Sequence, residues 1–551
     1  MVTLDVSYSR LIELIGRRLS IKQIESVLFD IGFELDEVAG DELKIDITSD
    51  RPDCVSPQGM ARAIRSYLGI KLGLIDYASK FKKSNYEFIV HDSLRKIRPY
   101  AVSCIIKNLN FTDKLIRDVI WVQEKLHATY GRDRSKAAIG IYPFKGIVPP
   151  IHLKAELPDK IRFVPLEFDR ELTGAQILKE HPTGQKYAGI IRGFNKYPVL
   201  TDSAGNVLSM PPIINSQNFG RVTPDTHEIF IEVTGTDWLT VNQVLTILAT
   251  MFADEGGVVY QMKVKYSDKT YYTPLIKPDR WSINLDYINK SLGRNFSAKE
   301  VITLLGRMGI DCKLIKNKLE VQVPFYRTDV LHPIDLIDDI ARAYGFNNFE
   351  PIMPKSPTIG GLLPRNIFNN RVRELMVGHG LIEVFTRALT TLEDQFNKVN
   401  LPVDKHVSVV KPKCVESILR VSLAPELMKC FESNTHGDYP QRIFEVNDIT
   451  LIDESSDVKS RNETRLCAAI CSSSTNFTEI KELLESLKSS LGLKLELREH
   501  DYGMLIKGRS ASINHNGKQV GFIGEVHPLV INNFGLKLPV AVFELSLEDF
   551  Y

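Results

Sequence analysis

Four aspartates close together can hold a divalent cation, and residues 323–349 carry such a set. Asp335, Asp338 and Asp339 stand at i, i+3 and i+4 of a helix predicted to open at Pro333 and stop at Gly345, so their carboxylates share one face. Leu336, Ile337, Ile340 and Tyr344 take the opposite, buried face. Asp329, in the turn Arg327-Thr328-Asp329 just upstream, adds a fourth carboxylate. All-oxygen acidic ligands suit Mg²⁺ or Ca²⁺, with water completing the shell. The plainer alternative is first-turn acid that favours the helix dipole, with an ordinary i, i+4 ion pair between Asp338 and Arg342.

A second constellation follows the loop SMPPIINS. Ile229, Ile231 and Val233 alternate to one side of a predicted strand, so Glu232 and Thr234 point to the other. With Asn215 and Ser216 they make a candidate polar pocket holding one carboxylate. The alternative is an exposed strand face beside a loop. In GRDRSK, Arg132, Arg134 and Lys136 suit a phosphate backbone or a solvated loop.

Repeated small elements must position the aspartates. Ser20 and Gln23 read as a capping box, followed by Ile24, Val27, Leu28 and Ile31 at helical spacing and a stop at Gly32. A hairpin turning at Gly40-Asp41 follows, then Arg51-Pro52-Asp53, then a helix opening at Ser56-Pro57. Ser297 and Glu300 begin the same order again, and Arg327-Thr328-Asp329 replaces Arg51-Pro52-Asp53. In this alignment Asp335, Asp338 and Asp339 face Gly59, Arg62 and Ala63, so the fold itself does not demand the acids. The fold class expected is multidomain α+β. Two copies of a small helix–hairpin–helix module occupy 1–90 and 269–350, a mixed α/β domain 91–268, and an antiparallel α+β domain 351–551.

At 551 residues the chain exceeds a single core. A net charge of +1 leaves nucleic-acid contact to local patches. The seven cysteines form no CxxC pair, which favours a reducing, cytoplasmic setting over zinc or disulfides. No secretory leader opens the sequence, and the most apolar helix, near 241–252, is too short to span a bilayer. GxxxxGK[ST], HExxH and GxSxG are absent, as is a GxGxxG opening a helix after a strand.

RPDCVSPQGMARAI, SMPPIINS with IEVTGTD, YRTDVLHPIDLIDDIARAYGF, GLIEVFTRAL, RIFEV, and GRSASI with IGEVHPLV resemble, in this order, the β-subunit family of phenylalanyl-tRNA synthetase. The resemblance runs to about residue 548 and is to the shorter, archaeal and eukaryotic form. It implies an α₂β₂ heterotetramer that joins phenylalanine to tRNA(Phe), with ATP bound and the amino acid activated on the α subunit. It also implies that 351–551 is a catalytically inactive class II-like domain on which α docks.

The resemblance makes Asp329, Asp335, Asp338 and Asp339 the ligands of an Mg²⁺ that is structural or tRNA-organising. Many relatives carry Glu where this chain has Asp338. The middle domain resembles an editing domain that hydrolyses Tyr-tRNA made in error. Editing is physically sensible, because a pocket shaped for a phenyl ring rejects an added hydroxyl by only about 10²-fold. Glu232 would accept a hydrogen bond from that hydroxyl or from the α-amino group. Asn215, Ser216 and Thr234 would place the ester and a water. The competing expectations are a tRNA-binding scaffold that has lost editing, and an independent metal-dependent enzyme built on the aspartates.

Overall fold

Ser20 and Ser297 start two copies of one module in the same way. Each hydroxyl accepts the backbone N–H three residues on, and the side chain of Gln23 or Glu300 answers to the cap, closing a capping box. A computed structural model, which describes residues 2–77, 79–316, 318–356 and 358–551, places both copies in a first unit, Met1–Ile352; the second unit is Met353–Tyr551. The capped helices are Ile21–Ile31 and Ala298–Arg307. Hairpins follow, Glu34–Ala39 with Glu42–Ile47 and Asp311–Ile315 with Lys318–Val323. The closing helices are Pro57–Tyr67 and Pro333–Tyr344.

Each copy is larger than periodicity indicated. A strand and helix precede it, Val2–Ser7 with Tyr8–Ile15 and Asp279–Ile283 with Leu285–Leu292. The added strand pairs antiparallel with the second hairpin strand, so both copies carry a three-stranded sheet of the same order. The module is therefore a three-stranded α+β unit and not a bare helix–hairpin–helix.

The copies pack on each other. Arg342 donates to the Ile31 carbonyl at 3.0 Å, and Arg307 donates to the Tyr67 carbonyl at 2.9 Å with its guanidinium 4.2 Å above the Tyr67 ring. Arg51 grips Asp53 through two contacts of 2.8 and 2.9 Å, as Arg327 grips Asp329 through 2.7 and 2.6 Å.

Two domain edges move. Phe81–Val90 and Thr270–Thr273 are strands of the large middle sheet, so that sheet starts before residue 90 and extends beyond 268. It has ten strands. The order is Ile214–Asn215, Val207–Met210, Tyr197–Thr201, Ile151–Glu156, Phe81–Val90, Val258–Lys265, Tyr100–Lys107, Ile229–Gly235 and Ala137–Pro143, with Thr270–Thr273 on Val258–Lys265. The apolar helix Trp238–Asp254 is buried over most of its length and packs with Ile229, Ile231 and Val233.

In the second unit seven strands form one sheet, antiparallel except where the short edge strand Ile382–Glu383 runs parallel to Gln441–Ile452. Alternation divides its faces. Leu466, Ala468 and Ile470 join a core with helices Pro364–Gly378 and Phe477–Leu491, while Cys467, Ala469 and Cys471 join one with Ala424–Ser433 and Pro528–Asn533. Among the described residues no helix is long and apolar enough to cross a membrane.

Candidate functional site

Strand Ile229–Gly235 lies between Tyr100–Lys107 and Ala137–Pro143, so every residue of it is buried. The alternation holds. Ile229, Ile231 and Val233 join the helix-covered core, and Phe230 joins the core on the opposite face. Glu232, on that second face, is 3 % exposed, so the alternative of an exposed strand face gives way to a buried carboxylate.

Glu232 sits at the wall of a cavity of about 660 Å³, within the size range of small-molecule sites. Asn215, Ser209 and Arg134 supply polar lining, and Ile116, Val119, Ile120, Ile139 and Ile141 supply apolar lining. The Tyr142 phenol oxygen lies 2.8 Å from Ser209 Oγ, 3.2 Å from Asn215 Oδ1 and 3.2 Å from Glu232 Oε1. The other carboxylate oxygen, Oε2, is enclosed and has no hydrogen-bond partner among the described residues. Burial pushes the Glu232 carboxyl up to about 7, against the opposing pull of the Arg98 charge and the Tyr142 hydroxyl.

Two of the four expected pocket residues face the cavity, Glu232 and Asn215. Thr234 does not line it. Its Oγ1 accepts from Arg98 Nε at 2.9 Å and its carbonyl from Nη2 at 2.7 Å. Ser216 also lies off the lining; its N–H is spent on the Leu208 carbonyl and its hydroxyl is buried without a partner among the described residues. Tyr142, Ser209 and Arg98 were missed by sequence reasoning, because Tyr142 meets Glu232 from another strand, Ser209 meets Tyr142 and Arg98 meets Thr234.

Arg134, read as a phosphate contact or a solvated-loop residue, is instead part of the wall. It donates to the Ile213 carbonyl at 2.9 Å and to Glu124 at 3.2 Å, and lies 4.3 Å above the Tyr187 ring. Lys136 pairs with Asp237 at 3.5 Å, and Arg132 is exposed.

The four aspartates are not brought together as a ligand set. Arg327 takes Asp329 through Nε and Nη2, one edge of its guanidinium, and reaches Asp339 from Nη2 at 2.8 Å, all three being largely buried. Arg327 holds Asp329 down at about 2. Asp335 Oδ2 accepts the N–H groups of Leu331 and His332 at 2.8 Å each, capping its own helix. Asp338 points to solvent and meets Arg342 at 2.7 Å, the plain ion pair of the alternative reading. No group of three acidic, histidine or cysteine side chains among the described residues is placed to hold a metal. As arranged, Asp329 and Asp339 share Arg327, while Asp335 and Asp338 are engaged by the helix start and by Arg342.

In the second unit the buried acids face the chain's own cations. Arg420 pairs with Glu445 at 3.0 Å and Arg465 with Glu544 at 2.7 Å. Glu544 also accepts the N–H groups of Leu423 and Ala424 where a helix begins. Neither arginine is left to meet a nucleotide phosphate.

Comparison with known proteins matches three segments to family models. Residues 1–70 match the Phe-tRNA synthetase beta subunit B1 domain, 281–346 the tRNA synthetase B5 domain, and 350–547 the phenylalanyl tRNA synthetase beta chain CLM domain. The phenylalanine–tRNA ligase beta subunit of Pyrococcus abyssi is 41% identical over 100% of both chains. That of Thermococcus sibiricus is 40% identical over 100% of this chain and 99% of its own. A crystal structure of an N-terminal fragment of the Pyrococcus horikoshii phenylalanyl-tRNA synthetase beta-subunit is 38% identical, with a TM-score of 0.60; it covers 62% of this chain and 99% of the fragment. End-to-end identity at this level, with family models matching both small modules and the last unit, means that this chain belongs to the phenylalanine–tRNA ligase β-subunit family.

Proposed function

We propose that the chain works as the β subunit of an α₂β₂ phenylalanine–tRNA ligase, and that the Glu232 cavity hydrolyses tyrosine wrongly joined to tRNA(Phe). ATP binding and phenylalanine activation fall to the α subunit, as the family resemblance implies, and the buried Arg420 and Arg465 of the second unit hold carboxylates of their own chain. Docking of α is supported by apolar surface beside the parallel edge strand, where Ile382 is 69% and Phe385 88% exposed.

The unpartnered Oε2 of Glu232 carries the editing reading. A tyrosine ring entering the cavity supplies the missing hydrogen through its hydroxyl; a phenylalanine ring leaves the carboxylate unsatisfied. A hydrogen bond to a charged group is worth about 1.5–3 kcal/mol, or roughly one to two powers of ten in rate. The preference is thus the reverse of that in an activation pocket, as a second sieve requires. Hydrolysis adds water across the ester: the carbonyl–oxygen bond breaks, tyrosine leaves as the free acid, and the tRNA regains its terminal hydroxyl. Glu232 selects the ring, and Asn215 stands on the same lining to orient the amino acid.

The test is deacylation of preformed Tyr-tRNA(Phe) and Phe-tRNA(Phe) by the αβ complex. Glu232→Ala is expected to slow release of tyrosine by one to two powers of ten while phenylalanine charging stays near wild type. Equal rates for variant and wild type remove Glu232 from the site. A wild-type complex that leaves Tyr-tRNA intact points to a tRNA-binding scaffold without editing.

A further inference from the structure

We propose that Tyr142 is the positioning residue of this site: its phenol pins Oε1 of Glu232 and so presents Oε2 alone to the ring hydroxyl of the substrate. The proposal rests on the editing reading of the cavity.

The geometry singles out this tyrosine. Its side chain is fully buried, and its ring stacks on Phe230 with centroids 5.6 Å apart and planes 29° from parallel. A phenol has one hydrogen to give and lone pairs to receive. It can send that hydrogen to Glu232 Oε1, 3.2 Å away, while sharing a 2.8 Å hydrogen bond with the Ser209 hydroxyl. Gly140, directly opposite Glu232 in the strand pairing, makes the contact possible. A Cβ there would lie 2.3 Å from the phenol oxygen and 2.6 Å from Oε1.

Tyr142 also occupies a seam. Its strand Ala137–Pro143 and the strand Ile214–Asn215 are the two ends of the sheet order, yet its hydroxyl lies 3.2 Å from Asn215 Oδ1. The curled sheet thus closes on the phenol. A purely structural role at this seam predicts one loss of stability and activity at every pH. A positioning role predicts a loss that depends on whether Glu232 is ionised, because the phenol hydrogen bond favours the ionised carboxylate.

The experiment uses the αβ complex and single-turnover deacylation of Tyr-tRNA(Phe) between pH 5.5 and 9. Wild type is expected to lose rate on the acid side of about pH 7, where Glu232 takes up its proton. In Tyr142→Phe, which keeps the ring on Phe230, this limb moves up by about half to one pH unit. The variant is then about two- to sixfold slower at pH 7 and within about twofold of wild type at pH 9. A second measurement needs no activity. The difference in urea midpoint between the wild-type chain and Tyr142→Phe should widen from pH 5.5 to 8.5. An unmoved limb, a loss by one factor at all pH, or a constant midpoint difference overturns the proposal while Glu232→Ala still tests the editing reading. A wild-type complex with no Tyr-tRNA hydrolysis overturns both.

Discussion

Arg327 meets Asp339 at 2.8 Å through the same nitrogen that touches Asp329, placing a guanidinium where two carboxylates converge. Breaking a buried pair by removing one partner costs about 3 kcal/mol or more, whereas an exposed i, i+4 pair is worth roughly 0.3–0.5. Asp339→Asn is therefore expected to lower unfolding free energy by about 3 kcal/mol, and Asp338→Asn by less than about 0.5. Neither value should change between excess Mg²⁺ and EDTA. Urea denaturation in both media checks this; stabilisation by Mg²⁺ that all four aspartate-to-asparagine variants lose would restore the ion as their ligand.

Glu232 should cost the fold stability as the pH rises. Its carboxyl titrates near 7 when folded and near 4.5 when unfolded. The folded chain holds the extra proton between these values, so the stability is intact below about 4.5 and is lost as the pH climbs through 7. At about 1.4 kcal/mol per unit, Glu232→Gln should gain roughly 3 kcal/mol at pH 8 and little at pH 4.5. Thermal unfolding of wild type and variant at both pH values measures it. An equal shift at the two would show that folding does not raise the Glu232 carboxyl.

Thr234 and Ser216, off the cavity lining, should separate from Glu232 in their effects. Thr234→Val removes an acceptor from the buried Arg98 and is expected to cost about 1.5–3 kcal/mol of stability, with Tyr-tRNA deacylation within about twofold of wild type. Ser216→Ala removes a hydroxyl that has no partner and is expected to be neutral or slightly stabilising. Deacylation loss without destabilisation in Thr234→Val would return that residue to the pocket.

The edge beside Ile382–Glu383 should decide assembly. Phe385→Glu places a charge in exposed apolar surface and should leave the chain folded while reducing its co-purification with α by tenfold or more. Size exclusion of the co-expressed chains reads the result. Undiminished complex would move the docking surface elsewhere.

Local signals carried the sequence reading well, and long-range closure limited it. Ser20 with Gln23 and Ser297 with Glu300 are caps made within four residues, so spacing alone reveals them. Period-two alternation likewise put Glu232 opposite Ile231 and Val233. What alternation cannot tell is what covers a face. Tyr142 meets Glu232 only because the two ends of a ten-stranded sheet approach each other. The helical wheel placed Asp335, Asp338 and Asp339 on neighbouring positions, but it spans wide enough for one to point inward and one outward. It carried no information about Arg327 entering between Asp329 and Asp339. The edges at residues 90 and 268 were misjudged for the same reason: Phe81–Val90 finds its parallel partner in Val258–Lys265, far along the chain.

The clasp between the two copies of the small module has a consequence for how the protein is made. The Ile31 carbonyl waits for a guanidinium 311 residues further on. At about 5–20 residues per second, a ribosome needs roughly 15–60 s to deliver it. Throughout that interval the first copy must persist with that carbonyl unmatched by its partner. Biogenesis of the first unit is thus a timed event, completed by the last helix of the clasp and sensitive to any pause in translation before it.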